Sequence, residues 1–144
     1  MPAAVGSGTL IYAKDLALLA SFYRVLLSMS EVHASDELVV LRSYDGRSYD
    51  GRSLQCELIV HRIPAHIAET IVVASPPVLR EDTAIKPFFS VASFVEAAAH
   101  ATSMGGGVFG PQYEGPGFRI TNAYDPEGNI IQLREPIDGD RIAP

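Results

Sequence analysis

The sequence predicts an α+β protein built from two modules, each with the element order βαβββ. Two observations predict this fold class. A helical segment follows a β-like run near residue 16, where apolar residues recur at helical spacing, and again near residue 94, where a capping box marks its start. Three further β-like runs follow each of these helical segments. Helices in this arrangement cover one face of each sheet and leave the other face to curl around a cavity.

The first module is predicted over about residues 5–62. Residues 5–14 form its first β-like run, and Asp15 is placed to cap a helix that continues to about Ser28. The apolar residues of this helix recur at helical spacing and are Leu16, Leu19, Ala20, Tyr23, Leu26 and Leu27. The three strands that follow are predicted at residues 31–34, 37–42 and 54–61.

Residues 43–52 repeat the pentapeptide Ser-Tyr-Asp-Gly-Arg. Its Asp-Gly steps favour turns, so we predict a loop between two strands. Along the strand after this loop the side chains alternate between the two faces of the sheet. One face receives Leu54, Cys56, Leu58 and Val60, and the other receives Gln55, Glu57, Ile59 and His61.

A proline-containing linker is predicted at about residues 63–84, with a short helix or strand near residues 65–73. The second module, over about residues 85–137, begins with a strand at residues 85–91. Ser93 and Glu96 have the spacing of a capping box, which predicts a helix starting there. Glycines at 105–107 end that helix after Met104, and a strand follows at residues 108–113.

A β-hairpin is predicted at the end of the second module, with strands at residues 118–124 and 130–133. In the turn, Pro126 presets φ, Gly128 supplies positive φ, and Asp125 and Asn129 can bond their own backbone. Alternation on the second strand puts Ile130, Gln132 and Arg134 on one face and Ile131, Leu133 and Glu135 on the other.

The composition limits the classes of function. With 144 residues, 47% of them hydrophobic, we expect a single domain over residues 1–144. The net charge is −6, from 11 basic and 17 acidic residues, and the scattered cations argue against nucleic acid as a partner. No apolar run reaches the roughly 20 residues that span a bilayer, and no signal peptide is recognised. We therefore expect no membrane partner. Cys56 is the only cysteine, which excludes an intrachain disulfide, so we also expect a cytoplasmic protein.

Two short motifs resemble the vicinal oxygen chelate superfamily, which contains glyoxalase I, fosfomycin- and bleomycin-resistance proteins and extradiol dioxygenases. The first is Lys14-Asp15-Leu16 followed by Ser21-Phe22-Tyr23; the second is Asp125-Pro126-Glu127-Gly128-Asn129 leading into Ile131-Gln132-Leu133. The resemblance covers about residues 5 to 137. It implies paired βαβββ modules around a U-shaped cavity, commonly completed by dimerisation, so a homodimer is expected.

The resemblance also implies one divalent metal ion, held by side chains from four strands. By position these ligands fall near Gly8, at Glu57, near Lys86 or Pro87, and at Gln132, where many members have Glu. Glycine and proline offer no ligating side chain, and a protonated lysine repels a cation. A neutral amide oxygen is a weaker ligand for a hard cation than a carboxylate. We therefore expect no metal at this place and no other cofactor.

The residues expected to contact a ligand combine these positions with the aromatic side chains around them. Tyr12 and Phe88 share the inferred faces of Gly8 and Lys86, and His61 shares the face of Glu57. In the family a loop like residues 115–117 borders the cavity. The full set is Tyr12, Glu57, His61, Lys86, Phe88, Tyr113, Phe118 and Gln132. Lys86 can pair with Glu57 or bind an anionic ligand, and no catalytic residue is assigned.

Three functions follow from these expectations. The first is a metal-free protein that binds a small organic molecule and sequesters a drug or metabolite. The alternative is a metal-dependent lyase, isomerase, transferase or dioxygenase with Glu57, Gln132 and His61 as ligands. The third is a metal-free enzyme that uses Glu57 as a general base. Cys56 lies on an apolar strand face without an activating motif, so it is interpreted as a buried thiol.

Overall fold

A computed structural model describes residues 6–45 and 53–137, which belong to two compact units divided between Val72 and Val73. Each unit contains one βαβββ module, so the predicted α+β fold class is confirmed. Each module builds its own four-stranded mixed sheet. No helix in the described part of the chain is long and apolar enough to cross a membrane.

The first unit has the strand order β1-β4-β3-β2, with β1 parallel to β4 and the other pairs antiparallel. Asp15 caps the helix as predicted, because its Oδ1 accepts a hydrogen bond from Leu18 N at 3.1 Å. The elements are β1 (Thr9–Ala13), α1 (Leu16–Leu26), β2 (Ser30–Ala34), β3 (Leu38–Asp45), β4 (Ser53–Arg62) and the short α2 (Ala65–Ala68).

Apolar side chains of α1 pack on one face of this sheet. Leu19, Phe22 and Tyr23 on the helix are fully buried, as are Leu58 and Val60 on β4. The alternate residues of β4 therefore lie on the opposite face, as the sequence predicts. The predicted loop at 43–52 starts too early, since β3 continues to Asp45, while β4 begins at Ser53, directly after the predicted end of the loop. Backbone pairing across a bulge near Ser43 extends β3 despite the Asp-Gly signals, and residues 46–52 lie outside the described part.

The second unit repeats this plan with the strand order β5-β8-β7-β6, in which β5 is parallel to β8. The predicted strand at 85–91 is shorter in the structure, because Pro87 has no N–H to donate to a sheet. Lys86 consequently precedes the strand. The elements are β5 (Phe88–Ser90), α3 (Phe94–Ser103), β6 (Gly107–Gly115), β7 (Phe118–Tyr124) and β8 (Ile130–Pro136).

Helix α3 is held at its start by two side chains. Ser93 Oγ accepts from Glu96 N at 3.3 Å, which confirms the predicted cap. A carboxylate oxygen of the buried Glu135 accepts from Phe94 N at 2.6 Å, and the other oxygen pairs with Arg119. Glu135 thus ties α3 to the buried face of β8. Gln132 and Arg134 lie on the other face of that strand.

The turn between β7 and β8 has the predicted chemistry. Asp125 is fully buried, and its Oδ1 accepts from Glu127 N at 2.9 Å and Asn129 N at 3.1 Å. Gly128 has φ of +88°. This turn fixes the register that places Asn122 opposite Gln132.

Gly128→Ala should destabilise the protein strongly. A Cβ at this position would sit in the left-handed region and collide with the carbonyl oxygen of Val78. We expect a loss of about 2 kcal/mol or more in the free energy of unfolding, measured by urea denaturation. Gly110→Ala is the matched control, because a Cβ there meets no atom within 4 Å, and its effect should stay within about 0.5 kcal/mol. If Gly128→Ala changed the free energy of unfolding as little as Gly110→Ala does, the turn would tolerate a side chain at position 128.

Candidate functional site

The first unit presents a sheet face that α1 does not cover, which we call the first open face. Cross-strand pairing sets Tyr12 beside His61 and Arg42 beside Glu57. The face includes Leu10, Tyr12, Val40, Arg42, Glu57, Ile59 and His61. Of the residues predicted to contact a ligand, Tyr12, Glu57 and His61 lie here.

Glu57 is held by an arginine that no sequence pattern indicated. Arg42 Nε donates to Glu57 Oε2 at 2.7 Å, and the two side chains are only 16% and 15% exposed. Hydrogen bonds to Glu57 and then to Tyr44 raise the pKa of Arg42 above its ordinary value. The carboxylate therefore has a cationic partner, Arg42, within its own sheet.

Glu57 borders a small open space beside Gly8. Gly8 lies next to it on the side of β1, so close that a Cβ there would come within 2.8 Å of Glu57 O. A shallow pocket of about 190 Å³ is lined by residues around this point, including Ser7, Leu10 and Ile59. A side chain at position 8 would thus require the backbone of β4 to move.

His61 and Tyr12 form an aromatic pair at the other end of this face. Their ring centroids are 5.6 Å apart with an interplanar angle of 58°. His61 Nδ1 lies 2.8 Å from Arg62 O. Because a carbonyl oxygen only accepts, Nδ1 is the donor of this hydrogen bond. Tyr12 is 59% exposed, so the pair is available for contact with another molecule.

The second unit presents the second open face, opposite the face on which Glu135 meets α3. Two cross-strand rows define it: Phe88, Gln132 and Asn122 in one, and Arg134, Ile120 and Tyr113 in the next. Phe118 lies at the end of β7, two residues along the same face from Ile120. Phe88, Phe118, Tyr113 and Gln132, all predicted to contact a ligand, lie on this face.

Arg134 brings three of the predicted residues together. Its guanidinium carbon lies 3.8 Å from the ring centroid of Phe88 and 4.6 Å from that of Phe118. Its Nε donates to Gln132 Oε1 at 3.1 Å. Alternation along β8 places Arg134 on the face of Gln132, but the position of the two rings depends on register between strands. The sequence therefore located the face and missed the arginine at its centre.

Lys86 reaches over the same face although it precedes β5. Its Nζ donates to Asn122 Oδ1 at 3.2 Å. Tyr113 on β6 is 57% exposed and Phe88 is 56% exposed. Large aromatic groups and two cations thus share one side of this sheet.

The residues at the four positions that the family resemblance implies do not fit a divalent metal. Gly8 has no ligating group, Glu57 is bonded to Arg42, and the oxygen of Gln132 is bonded to Arg134. Lys86 supplies a positive charge. Within residues 6–45 and 53–137, no three His, Cys, Asp or Glu side chains lie together in a way that could hold a metal ion.

The architecture by itself defines the class of fold: two βαβββ modules, each with a four-stranded mixed sheet and a helix on one face. This is the fold of glyoxalase/bleomycin-resistance proteins. A solved enzyme of the glyoxalase/bleomycin resistance protein/dioxygenase family from Burkholderia phytofirmans PsJN is 15% identical, with a TM-score of 0.57 over 89% of this chain and 95% of that one.

Other solved structures agree. The fosfomycin resistance protein FosX from Listeria monocytogenes, solved with Mn(II) and a sulfate ion, is 15% identical, with a TM-score of 0.59 over 99% of this chain and 97% of that one. A bleomycin resistance determinant encoded on the transposon Tn5 is 15% identical, with a TM-score of 0.53 over 92% and 98%. No family model and no curated protein matches the sequence. At this level of identity the similarities establish a shared fold, as the two short motifs predicted.

Cys56 should be an unreactive thiol at neutral pH. It is half-buried rather than fully buried. Burial raises its pKa by disfavouring the thiolate, and the negative charge of Glu57 raises it further. The rate of alkylation by iodoacetamide should therefore rise with pH through a midpoint above about 8.5, the ordinary value for cysteine. The urea-unfolded protein should show the ordinary midpoint.

Glu57→Gln provides the matched test of the second cause. Removal of the negative charge, with Arg42 left unpaired nearby, should move the alkylation midpoint of Cys56 to lower pH. A folded-state midpoint below that of the unfolded chain would show that this environment activates the thiol instead of suppressing it.

Proposed function

We propose that this protein binds a small organic molecule on its open sheet faces and does so without a divalent metal. The observation that carries the proposal is the Arg42–Glu57 ion pair at 2.7 Å. Glu57 is the only carboxylate among the four positions at which the family resemblance implies metal ligands. Its commitment to Arg42 removes the strongest hard-cation ligand of that set.

The charges found on each open face support the same conclusion. A metal at Glu57 would have to displace the Arg42 guanidinium or lie beside it, and like charges at short range repel. On the second open face, Lys86 and Arg134 add two more cations, and the amide oxygen of Gln132 already accepts a hydrogen bond. A catalytic metal site normally has three or more protein ligands, which these positions do not offer.

The exposed aromatic side chains support binding of an organic ligand. Tyr12, Phe88 and Tyr113 are each more than half exposed although they lie within strands. Large rings on an open sheet face provide flat apolar surface, and on the second open face the polar groups of Gln132 and Asn122, on strands between those of Phe88 and Tyr113, can orient a ligand. The physiological role that we propose is sequestration of a drug or metabolite, and a bleomycin resistance determinant shares this fold.

The two enzymatic alternatives receive less support. The metal-dependent one draws on the FosX structure with Mn(II), but it requires the donor set that the chain lacks at the corresponding positions. The metal-free one requires Glu57 as a general base, and the hydrogen bond from Arg42 occupies one of its oxygens. A single-domain, homodimeric, cytoplasmic protein completes the proposal.

Metal analysis of the purified protein tests whether it works without a metal ion. We expect far less than one equivalent of Zn, Ni, Mn or Fe by mass spectrometry after dialysis without chelator. EDTA should leave the melting temperature unchanged, because no bound metal is there to be removed. Loss of a metal ion present at 100 times its Kd would instead remove about 2.7 kcal/mol of stability. Glu57→Ala and Gln132→Ala should both leave the metal content at its background level.

A stoichiometric metal ion would overturn the proposal if EDTA removed it, Glu57→Ala abolished its binding and the melting temperature fell. Addition of Mn or Zn to the dialysed protein supplies the complementary measurement. An increase in melting temperature that saturates at one equivalent would have the same consequence.

A further inference from the structure

We infer that the ligand of the second open face is a small organic anion, bound through Lys86 and Arg134 and flanked by the rings of Phe88 and Phe118. This inference rests on the proposed function, since it names the chemical class of the molecule that the protein would bind. It comes from the placement of the two cations, of which the sequence patterns indicated only Lys86.

The two cations converge on one cross-strand pair. Lys86 Nζ bonds the side chain of Asn122 on β7 at 3.2 Å, and Arg134 Nε bonds the side chain of Gln132 on β8 at 3.1 Å. Asn122 and Gln132 are register partners. Directly opposed residues on neighbouring strands have Cβ atoms about 4.5–5.5 Å apart. The ammonium and the guanidinium therefore lie over the same small area at the middle of the sheet.

Neither cation has a carboxylate partner among the described residues. The ion pairs within the two sheets involve other arginines. Arg42 pairs with Glu57, and Arg119 pairs with Glu135. The chain has 17 acidic residues against 11 basic ones, so carboxylates are abundant in it. Lys86 and Arg134 instead use the neutral amides of Asn122 and Gln132. These amides orient the cations without neutralising them, and the area keeps a net positive charge.

The aromatic rings hold Arg134 so that one edge remains available. Phe88 and Phe118 lie within 3.8 Å and 4.6 Å of the guanidinium carbon, which fixes the plane of the group. Gln132 occupies Nε. The Nη groups can then donate two parallel hydrogen bonds to a carboxylate, phosphonate or sulfonate, the geometry that guanidinium favours. The neighbouring rings would contact an apolar or aromatic body attached to that anionic group.

Benzoate and phenylphosphonate are suitable probes, with benzamide and benzylamine as the neutral and cationic counterparts of the same size. Binding is measured by calorimetry and by NMR, in which the side-chain NH2 signals of Asn122 and Gln132 report directly on the area. We expect the two anions to bind and to shift both signals, while benzamide and benzylamine bind at least about tenfold more weakly. Added NaCl should weaken the binding of the anions.

Charge-removing variants assign the effect to the two residues. Lys86→Gln and Arg134→Gln should each weaken binding of the anions about tenfold or more, the range for loss of a hydrogen bond to a charged group. Arg134→Lys keeps the charge but loses the fork geometry, so its affinity should fall between those of the wild type and Arg134→Gln. Arg24→Gln is the matched control, because Arg24 is an exposed residue on α1 of the other unit. It should bind the anions like the wild type.

The outcomes separate this inference from the proposed function. If benzamide or benzylamine bound as tightly as the anions, or if no anion bound at millimolar concentration, the anionic class would be wrong while a metal-free binding protein would stand. If Arg24→Gln weakened binding as much as Lys86→Gln, a diffuse charge effect would replace the site. If Arg134→Gln failed to fold, the exposed Lys86→Gln would decide the question alone. A stoichiometric metal found in the wild type would instead overturn the proposed function.

Discussion

The hydrogen-bonded ion pair between Arg42 and Glu57 is the contact on which the functional interpretation depends. The antiparallel register of β3 and β4 sets the two residues directly opposite each other, so the backbone, and not only the side chains, brings them together. Both are largely shielded from water, which weakens competition by solvent for the carboxylate. A carboxylate held in this way orients its neighbour and is poorly placed to hold a metal or to abstract a proton. The fold supplies the position, and a single cross-strand partner decides what that position can do.

The two sheets have the same topology, but the open face of the first carries a paired arginine and that of the second carries two cations held by amides. On the first open face Arg42 is paired with Glu57, so these two charges offset each other. On the second, Lys86 and Arg134 are held by amides and keep their charge. The buried faces of both sheets obey ordinary packing, and even the buried Glu135 is satisfied by Phe94 N and Arg119. Glu57 and Glu135 are thus paired with arginines of their own sheets, whereas the two cations of the second open face are held by neutral amides.

Local signals in the sequence were sufficient to predict the elements and the two faces of each strand. Asp15, Ser93, Asp125 and Gly128 act through residues within four positions of themselves, so the caps and the hairpin turn could be recognised without any knowledge of the fold. Alternation likewise placed Gln132 and Arg134 on one face. What the sequence could not supply is register between strands, which pairs Arg42 with Glu57 and sets Asn122 opposite Gln132. The extended β3 and the shortened β5 have different causes. Pairing with β4 outweighs local preference in β3, whereas in β5 the missing donor of Pro87 is a local signal that the predicted strand did not take into account.

Gln132 shows how one neutral side chain can change the character of the site. A glutamate, which the family resemblance leads one to expect here, would accept the same hydrogen bond from Arg134 and cancel its charge. The amide keeps the geometry, with Nε at 3.1 Å from Oε1, and leaves the guanidinium positive between two rings. Arg134 is then ordered before any ligand arrives, which reduces the entropy lost on binding. An amide beside an oriented cation therefore leaves this part of the sheet face positive, where a carboxylate would leave it neutral.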